Sequence, residues 1–131
     1  MRVTGYQFPD AEDAAKRYSW HMVEGAAADA EGSWRFRYSA LTCDESPQLA
    51  VWLREVAHTD VPASLSPTAL AFIEPNLSMA ATRFEPAFIE ITIGLDLEFS
   101  PPWQRRRTAG DPYLICCELT PEQLVRAATG E

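Results

Sequence analysis

The chain has 131 residues, the length of one domain, and we predict a single domain over residues 1–131. Its hydrophobic content of 47% and its four tryptophans exclude an intrinsically disordered chain. Eleven basic residues against nineteen acidic ones give a net charge of −8, which repels nucleic-acid phosphates and favours a basic partner. We therefore expect no direct binding of nucleic acid, although such a charge also keeps a protein soluble without any steering role.

The sequence contains no segment that directs it to a membrane. The first residues lack the apolar stretch of a signal peptide, and no window approaches the roughly eighteen apolar residues of a membrane span. We expect a cytoplasmic protein that makes no membrane contact. Its three cysteines fit that compartment, because Cys116 and Cys117 are adjacent in a strand-like run and would point to opposite faces. Reduced thiols are the expected state.

The first part of the chain predicts strands. Residues 2–6 are β-prone, and residues 10–16 indicate a surface connection or one turn of helix. Aromatic and polar side chains then alternate over residues 18–22 and again over residues 34–38, which is typical of two strands. Residues 28–33 supply the Asp and Gly of a turn. We predict an antiparallel hairpin with its aromatic side chains in the core.

A helix follows, because apolar residues now recur at the spacing of a single helical stripe: Leu49, Trp52, Leu53 and Val56. Ser46 is a suitable N-cap, with Pro47 as the first helical residue. Thr42 and Glu45 also match a capping box, but that start would place Pro47 inside the helix and lose a backbone bond. We therefore prefer the start at Ser46 and expect the helix to end at residue 57 or 58.

The middle of the chain predicts a loop and two short strands. Residues 60–67 contain two prolines and form the loop, whereas residues 69–73 and 77–81 are apolar or alternating and form strands. The proline-containing tripeptide 74–76 marks a bulge, a bend or an edge within what reads as one long interrupted strand. A turn at residues 85–86 leads into the next strand.

Residues 89–99 have the clearest pattern in the sequence. Every odd position is a large apolar residue and every even position is polar, acidic or glycine. This alternation predicts a long antiparallel strand with one buried and one solvated face. Glu90, Asp96 and Glu98 would lie together on the solvated face, and the prolines at 101–102 would end the strand.

The last part of the chain predicts a loop, a strand and a closing helix. The loop contains the only basic cluster, residues 105–107, and the strand spans residues 113–119. Thr120 and Gln123 form a capping box around a proline at the first helical position, and Gly130 ends the helix. Together the elements predict an α+β fold, an antiparallel sheet of five to seven strands with two helices packed on its apolar face.

Few residues suggest a catalytic, metal-binding or cofactor-binding site. His21 and His58 have no metal-ligand spacing, the cysteines form no C-x-x-C pair, and no nucleotide-binding or hydrolase motif is present. We predict no metal, no cofactor and no enzyme activity. The runner-up is a carbohydrate or small-molecule protein that uses the carboxylates of residues 90, 96 and 98, although a solvated sheet face needs no function. The arginines at 105–107 could bind a phosphate or an acidic surface, but a solvated loop is the simpler interpretation.

Six short motifs in this order resemble the WapI-like immunity protein family of bacteria, and the resemblance extends over nearly the whole chain. They are Gly-Tyr-Gln-Phe-Pro at 5–9, Gly-Ser-Trp at 32–34, Trp-Leu-Arg at 52–54, Phe-Ile-Glu-Pro-Asn-Leu at 72–77, Leu-Glu-Phe-Ser-Pro-Pro-Trp at 97–103, and Glu-Leu-Thr-Pro-Glu-Gln-Leu at 118–124. Most of these residues are turn, proline and aromatic positions of a scaffold. The family offers no catalytic residue to carry over.

The resemblance implies a protein that binds the toxic C-terminal domain of a bacterial effector, often a nuclease, and blocks it. We expect the acidic strand face to be the partner-binding surface, with Glu90, Asp96 and Glu98 as its residues. The alternative is an orphan interaction or structural module that acts as a homo-oligomer. A symmetric homodimer would compete for any exposed patch.

Overall fold

The computed structural model describes residues 1–58, 68–85, 87–104 and 110–129. Within these ranges seven strands form two antiparallel sheets, accompanied by three helices. The predicted antiparallel α+β fold is confirmed. The strands are divided between two sheets, one of three strands and one of four, whereas a single sheet was expected.

The first sheet contains the predicted hairpin. Its strands are β1 (Arg2–Tyr6), β2 (Trp20–Asp29) and β3 (Gly32–Thr42), in the order β1-β2-β3. The helix α1 (Ala14–Arg17) lies between β1 and β2. The hairpin is confirmed, since β2 and β3 pair antiparallel from Trp20 opposite Thr42 to Asp29 opposite Gly32.

The predicted inward face of β2 is wrong. Trp34 and Phe36 of β3 are buried as expected, but their cross-strand neighbours are Ala27 and Gly25. Beyond the register shift between His21 and Val23, the two-residue turn after Asp29 pairs odd-numbered residues of β2 with even-numbered residues of β3. Val23 is therefore the buried β2 residue on this face, and Trp20 and Met22 are half-buried on the other. Tyr18 precedes the strand and is exposed.

The second sheet is formed by the second half of the chain. Its strands are β4 (Thr68–Ala71), β5 (Leu77–Phe84), β6 (Ile89–Leu95) and β7 (Tyr113–Leu119), in the order β4-β5-β6-β7. The strand predicted at residues 69–73 ends at Ala71, and the chain reverses so that β4 and β5 form a hairpin. The alternative of one long interrupted strand over this region is thus wrong, because the proline at 75 lies in a reversing turn.

The predicted strand over residues 89–99 is wrong in its last part. β6 ends at Leu95, and a 3-10 turn occupies Leu97–Phe99. Leu97 has a φ of 50°, in the left-handed region, and the Phe99 N–H donates back to the Asp96 carbonyl over 3.0 Å. Phe99 is buried by this turn and not by a strand, so its apolar side chain fits the alternating pattern although the strand has ended.

The two longer helices are α2 (Glu45–Ala57) and α3 (Pro121–Thr129). The apolar stripe of α2 and its predicted end are confirmed, with Trp52, Leu53 and Val56 buried. The capping box of α3 is confirmed as well. Its Leu124 joins an apolar core made of residues from both sheets and from α2: Val23, Trp34, Phe36, Leu41, Trp52, Leu53, Val56, Leu77, Ile91, Leu95 and Phe99.

The preferred start of α2 at Ser46 is wrong, because the capping box is formed. The Thr42 N–H donates to the Glu45 carboxylate over 2.9 Å, and the Glu45 N–H donates to the Thr42 hydroxyl over 3.2 Å. The helix itself begins at Glu45, with Asp44 as its N-cap, so Pro47 is the third helical residue and its missing N–H would have had no helical partner. The other carboxylate oxygen of Glu45 accepts from the Ile73 N–H over 2.7 Å, which ties the helix to the β4–β5 turn.

Glu45→Ala is expected to lower the free energy of unfolding by about 2 kcal/mol, because the buried carboxylate serves two backbone donors. Glu45→Gln keeps one acceptor oxygen and should cost about half as much. Urea titrations of the two variants measure the difference. A Glu45→Ala variant as stable as the parent would contradict the stabilising role of the Glu45 carboxylate.

Several predictions fall outside the described residues: the loop at 60–67, the proline of the turn at 85–86, the arginines at 105–107, and the glycine at 130. The turn between β5 and β6 is closed by the Glu85 N–H, which donates to the Phe88 carbonyl over 2.9 Å. Within the described ranges, no helix has the length and apolar character that crossing a membrane requires.

Candidate functional site

The three predicted site carboxylates do not share a face. Glu90 is on the outer side of β6, where the Thr82 hydroxyl donates to its carboxylate over 3.0 Å and Glu118 of β7 is directly opposite. Glu98 is exposed in the 3-10 turn and accepts a 2.7 Å bond from the Asn76 amide. The end of β6 at Leu95 separates these two environments.

Asp96 is buried, with 3% of its surface exposed. One carboxylate oxygen accepts from the Leu97 N–H over 2.8 Å, and the other accepts from the Gly110 N–H over 2.9 Å. The expectation that Asp96 lies on a solvated face is therefore wrong. It is a positioning residue that holds both ends of the segment connecting β6 to β7.

That segment carries an exposed tryptophan to the tip of the β2–β3 hairpin. Trp103 lies edge-on to the buried Trp34, with ring centroids 5.4 Å apart, and Tyr113 packs edge-on to Trp34 at 5.5 Å. The Trp34 indole N–H donates to the Phe99 carbonyl over 2.9 Å. Trp34 thus joins the first sheet to the start of β7 and to the turns after β6.

Two carboxylates from the hairpin turn complete the cluster. The Tyr113 hydroxyl donates to the Asp29 carboxylate and lies 3.2 Å from a carboxylate oxygen of Glu31. Asp29 also accepts from the Glu31 N–H over 2.8 Å, which fixes the turn. We call the set Asp29, Glu31, Trp103 and Tyr113 the tip patch.

Hydrogen bonding sets the ionisation of the tip patch. The bond from Tyr113, with further bonds from the turn N–H groups, lowers the pKa of the Asp29 carboxyl below its ordinary value. The same bond raises the pKa of the Tyr113 phenol well above its ordinary value. The phenol therefore stays protonated. Its single proton can satisfy only one carboxylate fully, so two exposed negative charges converge on one donor.

The tip patch has the composition of a protein-binding site. Trp103 is 43% exposed, and its ring face can receive a lysine or arginine from a partner. Asp29 and Glu31 are exposed beside it and can pair with the same cation or a second one. Tryptophan, tyrosine and charge-paired groups are the residue types that dominate binding energy at interfaces.

Gly32 makes room for this arrangement. It has a φ of 157°, and a Cβ at this position would lie 3.0 Å from the Trp103 ring. Gly32→Ala is expected to displace Trp103 and to cost about 1 to 2 kcal/mol of stability. Gly110→Ala is the matched control, since Gly110 has a φ of 111° but, among the described residues other than its chain neighbours, no atom within 4 Å of the added carbon.

Tryptophan fluorescence and urea unfolding of both glycine variants check this prediction. The Gly32 variant should change the emission of Trp103 and lose more stability than the Gly110 variant. Equal spectra and equal losses of stability in the two variants would show that only backbone strain matters at Gly32. The absence of a side chain at Gly32 would then not be what leaves space for the Trp103 ring.

Sequence reasoning recognised every tip-patch residue as part of a turn, a strand or a motif, but it did not place them together. The sequence patterns place Asp29 in the hairpin turn, Tyr113 at the start of a strand and Trp103 in a motif of scaffold residues. Their separation in sequence, 84 residues between Asp29 and Tyr113, hides the cluster from any local pattern.

The Cys43 and Cys117 thiols are not activated. Burial raises the pKa of the Cys43 and Cys117 thiols, which disfavours the nucleophilic thiolate. Cys116 is exposed on the outer face of β7, opposite Thr92. In the part of the chain that the structure describes, no group of three or more His, Cys, Asp or Glu side chains is arranged to hold a metal ion.

Comparisons with known proteins agree with the resemblance seen in the motifs. No curated protein and no solved structure matches the chain. A family model described as the immunity protein WapI-like family matches residues 1–130, nearly the full length. The chain belongs to the immunity protein WapI-like family.

Proposed function

We propose that this chain is a non-enzymatic immunity protein that binds a bacterial toxin domain in the cytoplasm and blocks it through the tip patch. Membership of the immunity protein family supports the role, and the tip patch supports the surface. The observation that carries the choice of surface is the convergence of Asp29 and Glu31 on the Tyr113 hydroxyl beside an exposed Trp103. A lysine or arginine from a partner would neutralise this pair of charges.

The proposed target is a basic domain, such as a nuclease with a positively charged cleft. A net charge of −8 attracts such a domain over distance and raises the rate of encounter before close contacts form. Trp103 then supplies the apolar anchor that slows dissociation. Covering the cleft would exclude the substrate of the toxin without any chemistry by this protein.

Glu90, Asp96 and Glu98, the predicted binding residues, have different roles in this proposal. Glu98 lies in the turn that precedes Trp103, is exposed and accepts a hydrogen bond from Asn76, so it adds negative charge to this segment. Asp96 holds the segment in position from within. Glu90 and Glu118 lie on the outer face of the second sheet and form a second candidate surface, on which a partner or a second copy of the chain could dock.

The test is rescue of growth. The C-terminal domain of a toxin encoded next to this gene is expressed alone, with the parent protein, or with a variant. The parent should restore growth, and Asp29→Lys with Glu31→Lys should not. Asp10→Lys with Glu12→Lys is the matched control, because it changes the net charge equally at exposed positions before α1.

The possible outcomes distinguish the immunity role from the choice of the binding surface. Failure of the parent to rescue growth against every neighbouring toxin domain would overturn the immunity role. Rescue by the parent and by the tip variant, together with loss of rescue in Glu90→Lys with Glu118→Lys, would place the interface on the second sheet instead.

A further inference from the structure

The far half of β2 has an open edge in the first sheet. β1 pairs with β2 only from His21 to Glu24, where Arg2 is opposite Glu24. β2 continues for five more residues, Gly25 to Asp29, with β3 on one side. On the other side, no strand of the described ranges pairs with these five residues.

The backbone groups of Ala26 and Ala28 point to this open edge. The Trp20 carbonyl accepts from the Gln7 N–H over 2.9 Å on the β1 side, whereas the Ser19 carbonyl accepts from the Cys43 N–H over 3.2 Å on the β3 side. Successive residues of a strand alternate in this way. The even-numbered residues of β2 therefore direct their N–H and C=O groups away from β3.

The side chains along the edge leave it accessible. Residues 25–28 are Gly-Ala-Ala-Ala and include no proline, lysine or glutamate of the kind that protects an edge strand. A cavity of about 470 Å³ adjoins the edge between Arg2 and Phe36. Gly25 and Met1 line this cavity, and a Cβ at Gly25 would lie 2.6 Å from the Phe36 ring and 3.3 Å from the Met1 Cα.

Two arginines supply positive charge next to the edge. Arg35 is directly opposite Ala26 and Arg37 is directly opposite Glu24, both on the exposed face of β3. Glu24 is bonded to Arg2 over 2.7 Å. Arg35 and Arg37 form no hydrogen bond or ion pair with the described part of the chain. The small side chain of Ala26 lets a group from an added strand reach Arg35.

We propose that the open edge of β2 binds an extended acidic segment of another protein, which adds to the first sheet as a strand beyond β2. Its backbone bonds the N–H and C=O groups of Ala26 and Ala28. An acidic side chain opposite Ala26 pairs with Arg35, Arg37 adds positive charge nearby, and apolar side chains on the other face enter the cavity beside Phe36. This inference does not depend on the toxin-binding role of the tip patch.

The experiment uses a synthetic peptide of about seven residues that alternates valine and glutamate. A peptide that alternates valine and lysine is the control. Binding is measured by fluorescence anisotropy, and amide hydrogen exchange is followed at Ala26 and Ala28. The acidic peptide should bind and protect both amides, and the basic peptide should do neither.

Two variants test the backbone and the charges separately. Ala28→Pro removes one edge-directed N–H but leaves the β2–β3 ladder intact, so it should abolish the protection, whereas Ala28→Ser retains the N–H and should bind as the parent does. Arg35→Glu with Arg37→Glu should weaken binding by about tenfold or more. Circular dichroism verifies that each variant is folded.

Three results would overturn the proposal. They are equal binding of both peptides, binding of the acidic peptide without protection of Ala26 and Ala28, and full binding by the double arginine variant. A concentration-dependent dimer that Ala28→Pro dissolves would also overturn it, because the occupant of the edge would then be a second copy of this chain.

Discussion

Asp96→Ala is expected to lower the free energy of unfolding by about 2 to 4 kcal/mol, the largest loss of stability that we predict for a single polar residue. The side chain is buried and accepts from the Leu97 and Gly110 N–H groups. Alanine leaves both donors without their acceptor, and it removes the cap that holds Leu97 in a left-handed conformation. The segment that carries Trp103 should loosen at both of its ends.

The measurement for Asp96→Ala combines urea unfolding with hydrogen exchange of the Leu97 and Gly110 amides. Asp96→Asn is the matched control, because it retains one acceptor oxygen and should lose less stability. Unchanged exchange at both amides in Asp96→Ala would contradict the positioning role, even if the variant is less stable.

Trp103→Ala is expected to weaken the complex with the toxin domain by about 2 kcal/mol or more, roughly thirtyfold in Kd. Trp103 is the large exposed aromatic residue of the tip patch, and it lies beside two carboxylates that attract a basic partner. Truncation removes both the apolar contact and the ring face that receives a cation. Most of the loss should appear in the dissociation rate.

Trp103→Phe keeps an aromatic ring at the same position and should retain part of the affinity. Phe8→Ala serves as the control, because Phe8 is also an exposed aromatic residue but belongs to the segment between β1 and α1. Calorimetry of the four proteins with the toxin domain gives the comparison. Equal losses in Trp103→Ala and Phe8→Ala would show that the tip patch is not the interface.

Elements governed by local signals could be predicted from the sequence. The capping box of α3 depends on Thr120 and Gln123, three residues apart, and the stripe of α2 depends on helical spacing alone. The β2–β3 hairpin follows from alternation on both sides of a turn that contains Asp and Gly. Each of these signals lies within a window of a few residues.

Features decided by contacts between distant residues could not be predicted. The pattern of residues 89–99 stays alternating past the end of β6, but Asp96 binds Gly110 and turns the chain away from the sheet. The local pattern favours a start of α2 at Ser46, but Pro47 is tolerated in the first turn, where its missing N–H has no helical partner, and Glu45 bonds both Thr42 and the distant Ile73. The tip patch depends on packing of Trp34 against Trp103 and Tyr113 from two later segments.

The most direct test of the proposed interface is the association rate constant of the toxin domain measured by stopped flow over a series of salt concentrations. We expect the rate for the parent protein to fall as salt rises. Asp29→Lys with Glu31→Lys should associate at least about tenfold more slowly at low salt and should depend far less on salt, whereas Asp10→Lys with Glu12→Lys should stay close to the parent. Identical rates and identical salt dependence for these two charge-matched variants would show that the tip patch does not attract the toxin domain.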